Sequence, residues 1–88
     1  MDSLKKNKDF QNVYRNGKSY ADKYLVMYVL ENGLESNRIG ISVSKKVGNS
    51  VVRHHLTRLL RESYRLHDEM FHSGWDIVFM LYLIQISE

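Results

Sequence analysis

The chain has 88 residues, which suits one small domain spanning residues 1–88 and excludes a second. It contains no cysteine, which excludes disulfide bonds, thiolate zinc ligands and a thiol nucleophile, and which fits a cytoplasmic protein. The net charge of +3 is too small to identify a partner, and no apolar run reaches the ~20 residues that cross a bilayer, so no membrane partner is expected.

The first half of the chain predicts one helix and two strands. Apolar side chains recur at helical spacing in residues 4–16, and Gly17 is suited to end that helix. Residues 20–30 are apolar on both faces, which predicts a strand covered on both sides. After a turn at residues 31–37, residues 38–45 alternate between Ile or Val and Gly or Ser, which predicts a strand with one packed face and one face of small residues.

The second half predicts a long helix followed by a final strand. A helical pattern without a breaker runs over residues 51–67, and either Asn49 or Ser50 is suited to cap it. A turn at residues 72–74 leads into residues 75–84, which have strand composition. The order α-β-β-α-β predicts an α+β fold, in which helices pack on a small mixed sheet with parallel pairing across the second helix.

The predicted second helix combines an apolar stripe with a row of basic side chains. The stripe, which we expect to lie buried on the sheet, consists of Val52, Leu56, Leu59, Leu60, Ser63 and Leu66. The opposite side of the helix carries His54, Arg58, Arg61 and Arg65. Like charges at this spacing repel one another, so the row has no local benefit. A bound polyanion would offset this repulsion, because the planar guanidinium fork matches phosphate oxygens.

The positive charge of the chain is concentrated in one segment. Residues 38–67 hold seven Lys or Arg and one acid, Glu62, which is a net +6, whereas the other residues together carry −3. Lys45, Lys46 and Arg53 extend the basic row around the start of the helix, where free N–H groups also favour an anion. This distribution is typical of a nucleic-acid-binding surface, and a solvated arginine-rich helix face is the alternative interpretation.

Residues 39–64 also carry a recognisable motif. Ser-Lys-Lys-Val-Gly-Asn at residues 44–49, joined to Arg-His-His at 53–55 and Arg-Leu-Leu-Arg at 58–61, resembles the signature of the bacterial ribonuclease P protein subunit. Residues 4–14 resemble that family's opening helix. The resemblance implies a left-handed βαβ crossover around the arginine helix, an exception to the usual rule. It also implies a closing C-terminal helix that this chain lacks, so the chain is expected to be C-terminally truncated.

The resemblance also implies a function. The family is the protein partner of a catalytic RNA that removes 5′ leaders from precursor tRNA. The chain is then expected to be a subunit of this endoribonuclease that is inactive alone, while the RNA holds the Mg²⁺ and performs the hydrolysis. The expected partners are that RNA and precursor tRNA, with no DNA. A general RNA-binding or ribosome-associated module without a role in cleavage is the alternative.

The resemblance implies which residues of this sequence bind RNA. The implied RNA-binding residues are Lys45, Lys46, Asn49, Arg53, His54, Arg58 and Arg61, to which the helical wheel adds Arg65. The leader cleft would use Phe10, Tyr14 and Tyr28, whose rings can stack on unpaired bases; core packing is the alternative for each. His55 stands where the motif has a second arginine, so one charge is mostly missing at neutral pH. No catalytic residue and no protein-held metal is expected, because neither the histidines nor the serines form a known ligand or triad pattern.

Overall fold

The computed structural model of the protein describes residues 2–68 and 73–82. Its elements in chain order are β1 (Asp2–Ser3), α1 (Asn7–Asn16), β2 (Lys18–Ala21), β3 (Leu25–Glu31), β4 (Arg38–Val43), a 3₁₀ turn (Lys45–Val47), α2 (Ser50–Leu66) and β5 (Trp75–Leu81). The strands form one sheet in the order β1-β4-β5-β3-β2. β4 runs parallel to β1 and β5, and β3 runs antiparallel to β2 and β5. The predicted α+β class, with a mixed sheet and parallel pairing across α2, is confirmed.

The sequence pattern misses two short strands at the edges of the sheet. β1 has only two residues, too few for a periodic signal, and it forms by pairing Ser3 with Ile39. β2 arises because the Asp22 carboxylate accepts hydrogen bonds from the N–H groups of Tyr24 and Leu25, both at 2.8 Å. This Asx turn divides the single strand predicted over residues 20–30 into β2 and β3.

Helix α1 ends where the sequence predicts, at Gly17. The Gly17 N–H donates to the carbonyl oxygen of Val13 at 2.9 Å. A Cβ at Gly17 would lie 2.6 Å from that oxygen and 2.7 Å from the carbonyl oxygen of Val29 on β3. Only glycine therefore lets the chain leave α1 this close to the sheet. Residue 72 of the predicted turn and residues 83–84 of the predicted last strand lie outside the described residues.

The two helices pack on opposite faces of the sheet. Val78 of β5 belongs to a core cluster with Val13 of α1, whereas its neighbour Ile77 belongs to a second cluster with Ile39 and with Tyr64 of α2. Successive side chains of a strand point to opposite faces, so α1 and α2 lie on opposite sides of β5. A ligand bound beside α1 therefore does not compete for space with one bound on α2.

The predicted orientation of α2 is wrong. Four of the six members of the apolar stripe are exposed instead of buried: Val52 at 41%, Leu59 at 53%, Leu66 at 63% and Ser63, while Leu56 and Leu60 are half-buried. The buried residue is Tyr64, which is 4% exposed and whose hydroxyl accepts a hydrogen bond from Nδ2 of the buried Asn37 at 3.0 Å. Tyrosine offers a large apolar ring together with a hydroxyl that pairs with the buried amide. Packing against the sheet therefore selects the tyrosine side of α2 and leaves Leu59 and Leu66 exposed.

The buried phenol makes the stability of the fold sensitive to alkaline pH. Burial, assisted by a hydrogen bond to Asp68, raises the pKa of Tyr64 from 10.0 to about 12. The folded protein holds this proton more tightly than the unfolded chain, which stabilises the fold while the phenol is protonated. That contribution is complete below the unfolded pKa and is lost as the pH rises through the folded one. Urea unfolding is expected to give a lower free energy of unfolding at about pH 11 than at about pH 9, which is the part of the loss that falls below the folded pKa. If Tyr64→Phe lost as much free energy of unfolding between these pH values as the wild type, the loss would not come from Tyr64.

Candidate nucleic-acid interface

Two aromatic side chains of α1 meet the sheet on one side. Phe10 and Tyr14 are four residues apart and share a helix face, with ring centroids 6.3 Å apart. Tyr28 of β3 contacts Tyr14 edge-on at 4.9 Å. Burial is the main cause that raises the pKa of Tyr14, and its hydrogen bond with Ser42 opposes this rise. The structure thus brings the three predicted cleft residues together, next to a serine that the sequence did not single out.

An open cavity of about 440 Å³ lies beside these rings. It is lined by Lys5, Asn7, Phe10, Gln11, Tyr14, Ile41, Ser42 and Met80. Tyr28 is not among the lining residues and packs against the core cluster around Val13. Phe10 and Tyr14 pack against the same cluster, so the cleft role of Tyr28 and its core alternative both stay predictions. The cavity itself combines two aromatic rings with amide, hydroxyl and ammonium groups, a combination suited to unpaired nucleotides.

Sequence reasoning also missed a residue beneath the Phe10 ring. A Cβ at Gly40 would lie 2.6 Å from Cε1 and 2.7 Å from Cζ of Phe10, so the ring rests directly on the backbone of β4. Ser42 is two residues further along β4 and lines the cavity from the same face. The signal for both was the small-residue face of residues 38–45, which leaves room for an aromatic helix.

Five of the predicted RNA-binding residues present their side chains to solvent. Lys45 and Lys46 are exposed on the 3₁₀ turn before α2, and His54 and Arg58 are exposed on α2. Arg65 is also exposed, and its Nη2 lies 2.6 Å from the Glu62 carboxylate. That bond raises the pKa of Arg65 and lowers the pKa of Glu62. His55 is exposed too and lines a surface depression with Arg58, Leu59 and Glu62.

The other three predicted RNA-binding residues take part in the protein's own structure. Asn49 Oδ1 caps α2 by accepting a hydrogen bond from the backbone N–H three residues along, at 3.0 Å, which decides between the two predicted caps. Arg53 Nε donates to the carbonyl oxygen of Gly48 at 3.2 Å. Arg61 Nη1 donates to Ser3 Oγ of β1 at 2.5 Å. Asn49 therefore shapes α2 itself, and the two arginines contact the protein's own structure in addition to carrying charge.

The basic surface and the cavity are connected around the end of β4. Ser42 lines the cavity, and Lys45 and Lys46 begin three residues further along, on the turn that leads into α2. Lys5 lines the other side of the cavity. Basic side chains therefore lie both on the turn before α2 and at the cavity, an arrangement suited to a bound phosphate backbone.

The described residues do not offer a metal site. In residues 2–68 and 73–82, no three His, Asp or Glu side chains come together in an arrangement that would hold an ion. Over the same ranges, neither helix has the length and hydropathy that a membrane span requires. The functional surface of the described chain consists of cations, amides and aromatic rings.

Comparison with known proteins places the chain in a family. Residues 1–82 match the family model described as Ribonuclease P. The ribonuclease P protein component of Lachnoclostridium phytofermentans is 68% identical over 77 residues, which are 88% of this chain and 66% of the relative. That of Alkaliphilus oremlandii is 54% identical over 88% of this chain and 68% of the relative. The chain thus spans about two thirds of the length of these relatives.

Solved structures agree with the sequence relatives. The RNase P protein of Staphylococcus aureus superposes with a TM-score of 0.85 at 38% identity, covering 92% of this chain and 74% of that one. The RNase P protein of Thermotoga maritima gives a TM-score of 0.83 at 32% identity over the same shares. Motif, fold and overall similarity therefore agree, and the chain belongs to the ribonuclease P protein component family.

Proposed function

We propose that this chain is the protein subunit of a ribonuclease P that removes 5′ leaders from precursor tRNA. The basic side of α2 and the Lys45–Lys46 turn would bind the catalytic RNA, and the cavity beside α1 would hold the unpaired leader. One observation carries the proposal: a basic helix and an aromatic cavity lie on opposite faces of one sheet and are joined by a basic turn. Two RNA segments therefore have separate places on the same small domain.

The chemistry of cleavage belongs to the RNA in this proposal. The Mg²⁺ that the endonuclease reaction requires would be held by the RNA, as the family resemblance implies. The chain would contribute binding and positioning, and by itself it would not cleave. Binding energy that favours the precursor over the product is a sufficient role for such a subunit.

The cavity supports recognition of an unpaired leader. Phe10 and Tyr14 present rings on which bases can stack, and such stacking is worth about 1–3 kcal/mol per base with little sequence preference. Lys5 offers a charge for a phosphate beside them. This combination suits leaders whose sequences differ from one precursor to the next.

A general RNA-binding or ribosome-associated module is the alternative, because it would use the same basic surface. The deciding experiment mixes the chain with catalytic RNA at low Mg²⁺ and measures the rate of leader removal. Acceleration relative to RNA alone supports the subunit role. Tight RNA binding without acceleration would exclude it and leave the general module.

Removal of one exposed arginine should weaken RNA binding in a salt-dependent way. Arg58→Ala is expected to reduce the slope of log affinity against log salt by about one unit, because one phosphate contact is lost. The measurement is a titration of catalytic RNA at several salt concentrations. Lys18→Ala is the matched control, since Lys18 is exposed on β2 at the far edge of the sheet from α2. Equal slopes for Arg58→Ala and the wild type would show that Arg58 faces only solvent.

A further inference from the structure

Arg61 differs in its surroundings from the other arginines on its side of α2. Its side chain is partly buried and its Nη1 donates to Ser3 Oγ at 2.5 Å, whereas Arg58 and Arg65 are exposed. Ser3 ends β1, which lies at the edge of the sheet next to β4. The row of basic side chains on α2 therefore contains one residue, Arg61, that contacts the edge of the sheet.

β1 in turn determines where α1 begins. Leu4 directly follows β1, and its N–H donates to the carbonyl oxygen of Ile39 at 2.8 Å. The Leu4 side chain is 5% exposed and packs in the same cluster as Val13 and Phe10 of α1. The position of the cavity-lining helix thus depends on how firmly β1 is held.

Few backbone interactions hold β1. Its ladder with β4 has two positions, the pairs of Asp2 with Arg38 and Ser3 with Ile39. Asp2 adds two hydrogen bonds, from its N–H to the carbonyl oxygen of Asn37 at 3.1 Å and to its carboxylate from Ser36 Oγ at 3.3 Å. Such a short edge strand has little intrinsic stability, so a single charge-assisted hydrogen bond is a substantial part of its attachment. Arg61 supplies that bond from α2, the helix that carries the basic surface.

We propose that Arg61 is a positioning residue that ties β1, and through it α1, to α2. The tie keeps the aromatic cavity at a fixed position relative to the basic surface, so that a leader and a catalytic RNA are held in one geometry. This role for the two RNA segments rests on the proposed function, but the tie itself is a property of the free protein. It also separates Arg61 from Arg58, which the sequence alone places in the same row.

The first test uses amide hydrogen exchange in the free protein. Ser3→Ala removes the acceptor and leaves the charge of Arg61 in place. Exchange at the Leu4 N–H is expected to be about tenfold faster, while Ile77 in the middle of the sheet keeps its rate. Ser63→Ala is the matched control, because Ser63 is exposed on α2 away from β1. An unchanged Leu4 rate in Ser3→Ala would overturn the proposal.

The second test measures RNA binding by the same variants. Ser3→Ala and Arg61→Lys are expected to keep the salt slope for catalytic RNA and to lose several-fold of the affinity advantage of precursor over mature tRNA. Arg58→Ala should reduce the salt slope for catalytic RNA and keep the affinity advantage of precursor over mature tRNA. Two results together would show that Arg61 is an RNA ligand and would overturn the proposal. Ser3→Ala would keep the whole affinity advantage of precursor over mature tRNA, and Arg61→Ala would reduce the salt slope for catalytic RNA. A wild type without any leader advantage would refute the proposed function, and the exchange experiment would then decide about the tie.

Discussion

Replacement of Asp76 by alanine is expected to lower the free energy of unfolding by about 3 kcal/mol, because it removes the close counter-ion of a partly buried guanidinium. Arg38 would keep only Asp9, whose carboxylate lies 4.0 Å from its Nη1. The Asp76 side chain is 2% exposed and accepts two bonds from Arg38, to Oδ1 at 2.7 Å and to Oδ2 at 2.6 Å. Asn32 Nδ2 donates a third at 3.0 Å. The hydrogen bond with Asp76 is also the main cause that raises the pKa of Arg38.

The network around Asp76 joins distant parts of the chain. Arg38 is on β4, Asp76 is on β5 and Asn32 follows β3, so loss of the carboxylate affects three adjacent strands. Urea unfolding measures the effect. Glu62→Ala is the control, because it removes an ion pair whose side chains are more than half exposed, and no measurable change is expected from it. Equal stabilities of the two variants would contradict the importance of burial for the Asp76 network.

Replacement of Gly40 by alanine is expected to lower both stability and leader binding. The added Cβ would lie 2.6 Å from the Phe10 ring and 3.3 Å from Cβ of Leu4, so the ring must leave its place on β4. Overpacking of this kind costs about 1–3 kcal/mol. Since Phe10 lines the cavity, we also expect the advantage of precursor over mature tRNA to fall several-fold.

A double-mutant cycle separates this clash from other effects of the substitution. In a Phe10→Leu background the side chain that opposes the new Cβ is smaller, so Gly40→Ala should cost much less there. Urea unfolding of the four proteins gives the coupling free energy. Strict additivity would mean that Phe10 and Gly40 do not contact each other in solution.

The local features of the chain were predictable because their causes are local. The cap at Asn49 and the end of α1 at Gly17 depend on atoms within a few residues. The concentration of charge in residues 38–67 is a property of the sequence itself. The motif that resembles ribonuclease P proteins also lies in one continuous segment, and the family assignment confirmed it.

The orientation of α2 was not predictable, because it depends on a contact between residues far apart in the sequence. The leucine spacing indicates one buried face, yet Tyr64 pairs with Asn37, 27 positions earlier, and this contact turns another side of the helix to the sheet. β1 was not predictable for a similar reason, since the partners of Ser3 are Ile39 on β4 and Arg61 on α2.

The sequence by itself determined the α+β class and the basic character of one helix, because periodicity, capping and composition depend on neighbouring residues. Its continuous motif at residues 44–61 carried the resemblance to the family. Only the tertiary structure decided which cations are exposed and which hold the fold. It also seated Phe10 on Gly40 and placed Ser42 beside Tyr14. These features arise where α1 meets β4, and no pattern along the chain specifies which strand a helix face will cover.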